Sequence, residues 1–306
     1  MANDMSKLQA APRRVGVIGL GAMGAGMAQS LRRAGHDVHV YDIRPEASAA
    51  FAAQGGVACA TLADLAAACD IVVSVVVNAQ QTEAVLYGEG ALAAALRPGT
   101  VFVMCSTVDP NWSIAQEATL EAQGILYLDA PISGGAARAA SGEMTMMTAG
   151  RAAAYEACGA VLESMAGKVY RLGDRAGAGS KVKIINQLLA GVHIAAAAEA
   201  MALGLREGVD ADALYDVITH SAGNSWMFEN RMAHVLAGDY TPLSAVDIFV
   251  KDLGLVLDTA RNTRFPLPLA STAHQMFMQA SSAGHGREDD SAVIKIFPGI
   301  SLPEAK

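Results

Sequence analysis

A glycine run set between a strand and a helix constrains this chain more than any other feature. Arg14 to Leu20 reads R-V-G-V-I-G-L, a short continuous apolar run of the kind a buried strand makes. Gly19-Leu20-Gly21-Ala22-Met23-Gly24 follows at once. Ala25 to Ala34 is then a helical stretch closed by Gly35, and Asp37 to Tyr41 is the next strand, ending on Asp42. A lone G-x-G-x-x-G says little. Between a strand and a helix, with an acid about 20 residues on at the end of the next strand, it marks a dinucleotide-binding βαβ unit. Gly19 permits the tight turn, Gly21 lets the backbone approach a pyrophosphate, and Gly24 allows close helix–strand packing. The helix N-terminus supports the phosphate charge. Asp42 is expected to accept hydrogen bonds from ribose hydroxyls and to repel a 2′-phosphate, which favours NAD over NADP. Arg44 pulls the other way, because an arginine there can hold that phosphate. The competing reading is a glycine turn with no ligand.

The α/β rhythm continues. Thr61 to Leu65 starts a short helix, and Asp70 to Val77 (D-I-V-V-S-V-V-V) reads as a buried parallel strand. Thr82 to Tyr87 and Ala91 to Leu96 read as helices, with Arg97-Pro98-Gly99 as a stop. Thr100 to Met104 is a strand, Asn111 to Gln123 a helix and Gly124 to Asp129 a further strand. Ser106 and Thr107 fall at a strand's carboxyl end, where open α/β sheets bind ligands; alternatively they cap the helix after Pro110. Ser133-Gly134-Gly135 is either an ordinary loop or a nest of backbone N–H groups able to hold a small anion such as a carboxylate. Glu143 to Ala149, Ala152 to Met165 and Lys168 to Leu172 read as strand, helix and strand.

Gly177 to Leu205 is the second landmark. It is strongly helix-forming and apolar most of the way round, so it is expected to be buried on several sides. Lys183, Asn186 and Gln187, spaced i, i+3 and i+4, share one face of it. An unpaired buried ammonium is costly, and a catalytic cleft would explain three polar groups there. Two alternatives compete: a membrane-spanning helix, which the polar interruptions and the alanine content oppose, and a core helix whose lysine reaches out to water. After Gly208 the pattern is helical throughout, over Ala211–Ser221, Ser225–Ala237, Val246–Asn262, Ser271–Ala283 and Asp290–Ile296. The expected organisation is a flexible tail (1–13), a dinucleotide-binding domain (14–176), a long interdomain helix (177–207) and a helical domain (208–306).

Composition narrows the partners. The 306 residues are 52% hydrophobic and 17% charged with a net charge of −8, and no Lys/Arg cluster offers a nucleic-acid face. Cys59, Cys69, Cys105 and Cys158 lack C-x-x-C spacing, and none of the seven histidines has H-x-x-x-H spacing, so neither a metal nor a disulfide framework is expected. Residues 1–13 lack an apolar signal core, so a reducing cytoplasm is the expected setting, with no membrane partner.

Four segments together carry a family resemblance. They are V-G-V-I-G-L-G-A-M-G at 15–24, D-A-P-I-S-G-G-A-A-R-A-A-S-G at 129–142, G-A-G-S-K-V-K-I-I-N-Q at 177–187 and K-D-L-G-L at 251–255. In order and spacing the chain resembles the β-hydroxyacid dehydrogenases, a family that includes 3-hydroxyisobutyrate dehydrogenase and tartronate semialdehyde reductase. The resemblance implies an α/β Rossmann-type N-terminal domain and an all-α C-terminal domain joined by a long shared helix. It implies an NAD-dependent oxidoreductase acting on a small hydroxyacid. Lys183 would be the catalytic lysine, with Asn186 and Gln187 beside it, and Ser133, Gly134 and Gly135 would hold the substrate carboxylate. Gly19, Leu20, Gly21, Ala22, Met23, Gly24, Asp42, Thr107 and Lys251 would contact the cofactor. Lys181 is the neighbour that could be confused with Lys183, but two residues on a helix point about 200° apart, and the family spacing selects Lys183. Asp247 and Asp252 flank Lys251 as candidate ion-pair partners, and Ser244 departs from the phenylalanine the family often has. Asn224 to Arg231 is most similar to the branch that oxidises four-carbon sugar acids, making L-threonate the expected substrate; the Asn224-Ser225 pair suits a polyhydroxylated ligand, or else simply caps a helix. A homodimer or homotetramer is expected. Tartronate semialdehyde, 3-hydroxyisobutyrate, an imine reductase and a catalytically silent NAD-binding sensor are the rival readings.

Overall fold

The structure is a computed structural model and describes residues 12–304. Of the expected tail, 1–13, all but Pro12 and Arg13 lies outside the described residues. The chain forms two compact units that divide after Lys181.

The first unit is built on a sheet of β1 (Arg14–Ile18), β2 (Asp37–Tyr41), β3 (Val57–Ala58), β4 (Ile71–Ser74), β5 (Val101–Met104), β6 (Leu126–Asp129), β7 (Ile132–Ser133), β8 (Met144–Ala149) and β9 (Ala166–Gly173). The order is β3-β2-β1-β4-β5-β6-β8-β7, with β9 on the far side of β8. Strands β1 to β6 pair parallel, whereas β8 runs antiparallel to β6 and β7. β6 and β7 are successive pieces along one side of β8, separated by Ala130-Pro131. The helices are α1 (Gly24–Arg33), α2 (Pro45–Ala52), α3 (Leu62–Ala68), α4 (Ala79–Tyr87), α5 (Leu92–Ala95), α6 (Pro110–Glu121), α7 (Gly135–Ser141) and α8 (Ala152–Met165).

The continuous apolar runs of the central strands are explained by this topology, because a parallel sheet is covered on both faces. Val15, Val17 and Val103 pack with Met27, Leu31 and Leu162 on one side. Ile18, Val72, Phe102 and Met104 pack with Leu65, Leu86 and Leu120 on the other. The chain reverses its direction of winding between β1 and β4, and the glycine run leaves the sheet at that switch point, at the carboxyl end of β1.

The structure adds to the local reading at three places. Residues 135–141, given no element above, are the helix α7; Gly142 ends it in the left-handed conformation at φ 76°. α2, absent from the reading above, starts with Pro45 at its first position, where the missing N–H costs nothing. Asp109, and neither Ser106 nor Thr107, caps α6: its carboxylate accepts from the Asn111 and Trp112 N–H groups at 2.8 and 3.1 Å.

The long helix α9 (Ala178–Arg206) begins in the first unit and forms the spine of the second. Its start is fastened to the sheet by Asp129, a fully buried carboxylate. Asp129 Oδ2 accepts from Gly177 N (2.8 Å) and Ser180 N (2.9 Å), and Oδ1 accepts from Ser180 Oγ (2.7 Å). Burial raises this carboxyl's pKa while the three donors oppose that shift. Glu117 adds a second fastening, accepting from Arg175 Nε and Ala176 N.

In the second unit α9 packs with α10 (Ala211–Thr219), α11 (Trp226–Ala237), α12 (Val246–Thr263) and α13 (Pro268–Ala280), and a short turn of 3-10 helix follows at Asp290–Ile296. Among the described residues α9 is the one helix long and apolar enough to cross a membrane. Ile194, Ala198 and Met201 on it are nonetheless fully buried in this unit's own core. Small residues let the helices close. A Cβ added at Gly191 would sit 3.0 Å from Leu253 and Phe249 of α12.

Candidate active site

In the first unit the glycine turn is built as its spacing demands. Gly19, at φ 90°, bonds its N–H to the Tyr41 carbonyl at 2.9 Å and carries the chain off the end of β1. A Cβ at Gly24 would fall 1.8 Å from Gly19 O, so the helix can seat against the turn only without one. Gly21 is different: a Cβ there would meet nothing within 4 Å. No packing within the protein requires glycine at 21, and the open space there leaves room for a group from outside to approach the backbone closely. This open cradle fits a pyrophosphate at the start of α1, between Leu20, Ala22 and Met23.

Asp42 closes the rim of this turn. Its Oδ2 accepts from Leu20 N at 2.6 Å, and its Oδ1 accepts from Arg44 N at 2.9 Å and Arg44 Nε at 3.1 Å. Burial pushes the carboxyl pKa up, but the Arg44 and Leu20 donors outweigh it and hold the group below its ordinary value. Arg44, the residue that could have held a 2′-phosphate, is folded back onto Asp42.

At the carboxyl end of β5, Ser106 is buried, donating to Val76 O at 2.7 Å beside Thr82 Oγ1. Thr107 follows it, half-buried, in the loop that leads to α6. Ser133 ends β7 and is half-buried. Gly134 (φ 140°) and Gly135 (φ 76°) then turn the chain in conformations other residues rarely adopt. A Cβ at Gly135 would meet nothing within 4 Å.

In the second unit the polar face of α9 assembles with α12. Lys183 is 6% exposed, so it does not reach out to water, whereas Lys181 is exposed. Lys183 Nζ donates to Gln187 Oε1 at 2.8 Å, and Asn186 Nδ2 donates to the same oxygen at 3.1 Å. Gln187 Nε2 donates to Asp252 Oδ2 at 2.6 Å, and Lys251 Nζ lies 2.5 Å from Asp252 Oδ1. The close contact of α9 with α12 at Gly191, one turn beyond Gln187, makes this reach possible. Burial pulls the Lys183 pKa down to about 8; Asp252 opposes that and Lys251 adds to it. A lysine that releases its proton near pH 8 can serve as a general base.

Asp252 was legible only as a partner of Lys251, and that pairing is present. Asp247, the other candidate, accepts from Ser281 Oγ. The link from Asp252 to Gln187 and the role of Gly191 had no local signal. Ser225 is the cap of α11, accepting from Phe228 N at 3.0 Å, and Asn224 Nδ2 donates to Thr219 O. All four cysteines are free thiols, and among the described residues no group of His, Cys, Asp and Glu could hold a metal.

Comparison with known proteins identifies the family of the chain. Residues 14–173 match the family described as the NAD binding domain of 6-phosphogluconate dehydrogenase. Residues 177–297 match the NAD-binding family of NADP-dependent 3-hydroxyisobutyrate dehydrogenase. The chain is 71% identical to an L-threonate dehydrogenase of Cupriavidus necator over 95% of its own length and 98% of the relative's. It is 56% identical to the enzyme of that name from Escherichia coli K12, covering 95% and 97%. A crystal structure described as 3-hydroxyisobutyrate dehydrogenase from Salmonella typhimurium is 55% identical, with a TM-score of 0.89 over 93% of this chain and all of that one.

Proposed function

The chain belongs to the β-hydroxyacid dehydrogenase family and is an NAD-dependent oxidoreductase, and on that premise we propose that it oxidises L-threonate to 2-dehydro-L-erythronate. NAD supplies the hydride acceptor. Lys183 takes the proton of the reacting hydroxyl and returns it in the reverse direction. Asn186 orients that hydroxyl, and the Ser133-Gly134-Gly135 turn binds the carboxylate. Gly19 to Gly24 and Asp42 hold the cofactor's pyrophosphate and ribose, with Thr107 and Lys251 as further contacts.

The observation that carries this reading is Lys183: a buried lysine with a pKa near 8, hydrogen-bonded to an amide and not directly paired with an acid. A lysine kept only for structure gains nothing from that arrangement. L-Threonate as the substrate rests on the relatives of that name at 71% and 56% identity. The fold of Arg44 onto Asp42 supports NAD over NADP.

The same reading includes a homodimer or homotetramer working in the cytoplasm. Val182, Ile185, Leu189 and Leu203 leave an apolar line exposed along α9, at 40%, 59%, 52% and 63%, which a second subunit would cover. The free thiols suit a reducing compartment.

The test is NADH formation at 340 nm with L-threonate, D-threonate, D-erythronate, D-glycerate and 3-hydroxyisobutyrate, each with NAD⁺ and NADP⁺. Strong turnover of L-threonate with NAD⁺ is expected. Turnover of glycerate or hydroxyisobutyrate alone would keep Lys183 as the base and overturn the substrate. Silence across the panel with NAD still bound would favour a non-catalytic sensor.

A further inference from the structure

Gln187 has no freedom in how it holds its amide. An ammonium can only donate and a carboxylate can only accept. Lys183 Nζ stands on one side of the Gln187 amide and Asp252 Oδ2 on the other. Turning the amide over would set NH₂ against ammonium and carbonyl against carboxylate, breaking both bonds. Its oxygen already accepts from two donors, Lys183 and Asn186, and the residue is 8% exposed. That leaves no acceptor for a substrate hydroxyl.

We infer that Gln187, anchored by Asp252, is a positioning residue that fixes Lys183 Nζ and keeps the carboxylate one amide away from it. This rests on Lys183 being the base. The spacing matters in two ways. Placed directly on Lys183, Asp252 would attract the ammonium more strongly and would hold the proton on. Through the amide the attraction is weaker and the proton can leave. Gln187 Oε1 can accept from –NH₃⁺ and, more weakly, from –NH₂. The nitrogen therefore stays in place when it loses its proton, and its lone pair faces away from Gln187, towards whatever proton it is to take. Asp252 and Lys251 are the charged groups that act on Lys183, one raising and one lowering its proton affinity.

Two variants separate charge from position. Asp252→Asn can keep a carbonyl oxygen on Gln187 Nε2 while removing the negative charge. Gln187→Met keeps the volume and removes the bridge. The Lys183 titration is read directly from the ¹³Cε shift of labelled lysine in the cofactor-free protein, assigned with Lys183→Arg, beside kcat and KM from pH 6 to 10. Asp252→Asn is expected to lower the Lys183 titration by about half a pH unit or more, and to move the acid limb of kcat/KM with it. Gln187→Met is expected to cut kcat about tenfold or more at every pH, with KM for the hydroxyacid changed less than about threefold. An unmoved Lys183 titration in Asp252→Asn would overturn the inference. So would a Gln187→Met enzyme with normal kcat and a raised KM, the mark of a substrate contact. The base itself is tested separately: full turnover in Lys183→Arg would remove that role, whatever the titrations show.

Discussion

Arg44 with Asp42 and Lys183 with Asp252 each bring a basic side chain to an aspartate whose side chain is largely buried, and the two arrangements differ by one residue between the charges. At the rim of the glycine turn Arg44 lies directly on Asp42, with nothing between them. On the polar face of α9 the amide of Gln187 stands between Lys183 and Asp252. The direct contact drives both groups further into their charged forms: the Asp42 carboxyl is held down and the Arg44 guanidinium up. In the bridged arrangement burial outweighs the pull of Asp252 and leaves a lysine poised near pH 8. A fixed negative charge suits the role proposed for Asp42, recognising ribose hydroxyls and rejecting a phosphate. A proton that can come and go suits a base. The difference follows from burial together with what separates the charges: Lys183 is buried, whereas Arg44 is more than half exposed.

The largest break in this comparison is loss of the titratable group. Lys183→Ala should lower kcat by about 10² to 10⁴ or more and leave the Kd for NAD within a few-fold; near-normal turnover would remove the distinction. Lys183→Met should stabilise the fold while abolishing activity. The folded pKa of about 8 lies below the ordinary 10.5, so the unfolded chain binds more protons between those values. The cost of burying the ammonium is then fully present below about pH 8 and fades as pH rises to about 10.5. The advantage of Lys183→Met in chemical denaturation, on the order of 3 kcal/mol at pH 7, should shrink across that window. A constant advantage would mean that Lys183 does not titrate there.

The next effect falls on the direct pair. Asp42→Ala removes the ribose acceptor and the partner of Leu20 N–H, and should weaken NAD about 10- to 100-fold by calorimetry while narrowing the gap to NADP. Unchanged NAD binding would mean that the acid serves the turn alone. A smaller effect is expected at the helix contact that permits the bridge. Gly191→Val drives a side chain into Leu253 and Phe249 and should cost roughly 1–3 kcal/mol of stability. Because it parts Gln187 from Asp252, it should also reduce kcat; if kcat survived the stability loss, the bridge would be incidental. The smallest effect belongs to Arg44→Ala. Arg44 is more than half exposed, so stability should change by less than about 1 kcal/mol. The Asp42 titration, followed by carboxyl NMR, should rise once its first lowering partner is gone.

The same contrast explains what the sequence could disclose. The glycine turn was legible because its parts lie within one βαβ unit and each glycine has a reason that can be stated locally. Lys183, Asn186 and Gln187 were legible as one face because helical spacing puts them there. The bond from Gln187 to Asp252 joins residues 65 apart in sequence, and no periodicity reports which helix will lie against which. α7 was hidden for another reason. Its seven residues are too short for an apolar period to emerge, and the glycines around it read as loop. Asn224 and Ser225 looked like pocket residues because a cap and a ligand contact favour the same side chains; the structure shows Ser225 as the cap.

The fastening of α9 by Asp129 also bears on the order of folding. Most helices can finish their first turn with a neighbouring side chain, but Gly177 and Ser180 bond to a carboxylate about 50 residues earlier, at the end of β6. The helix can nucleate along its length at any time, yet its first turn is completed only once the sheet has brought Asp129 to it. In hydrogen exchange, the amides of Gly177 and Ser180 should therefore open with the strands and not with the helix they begin.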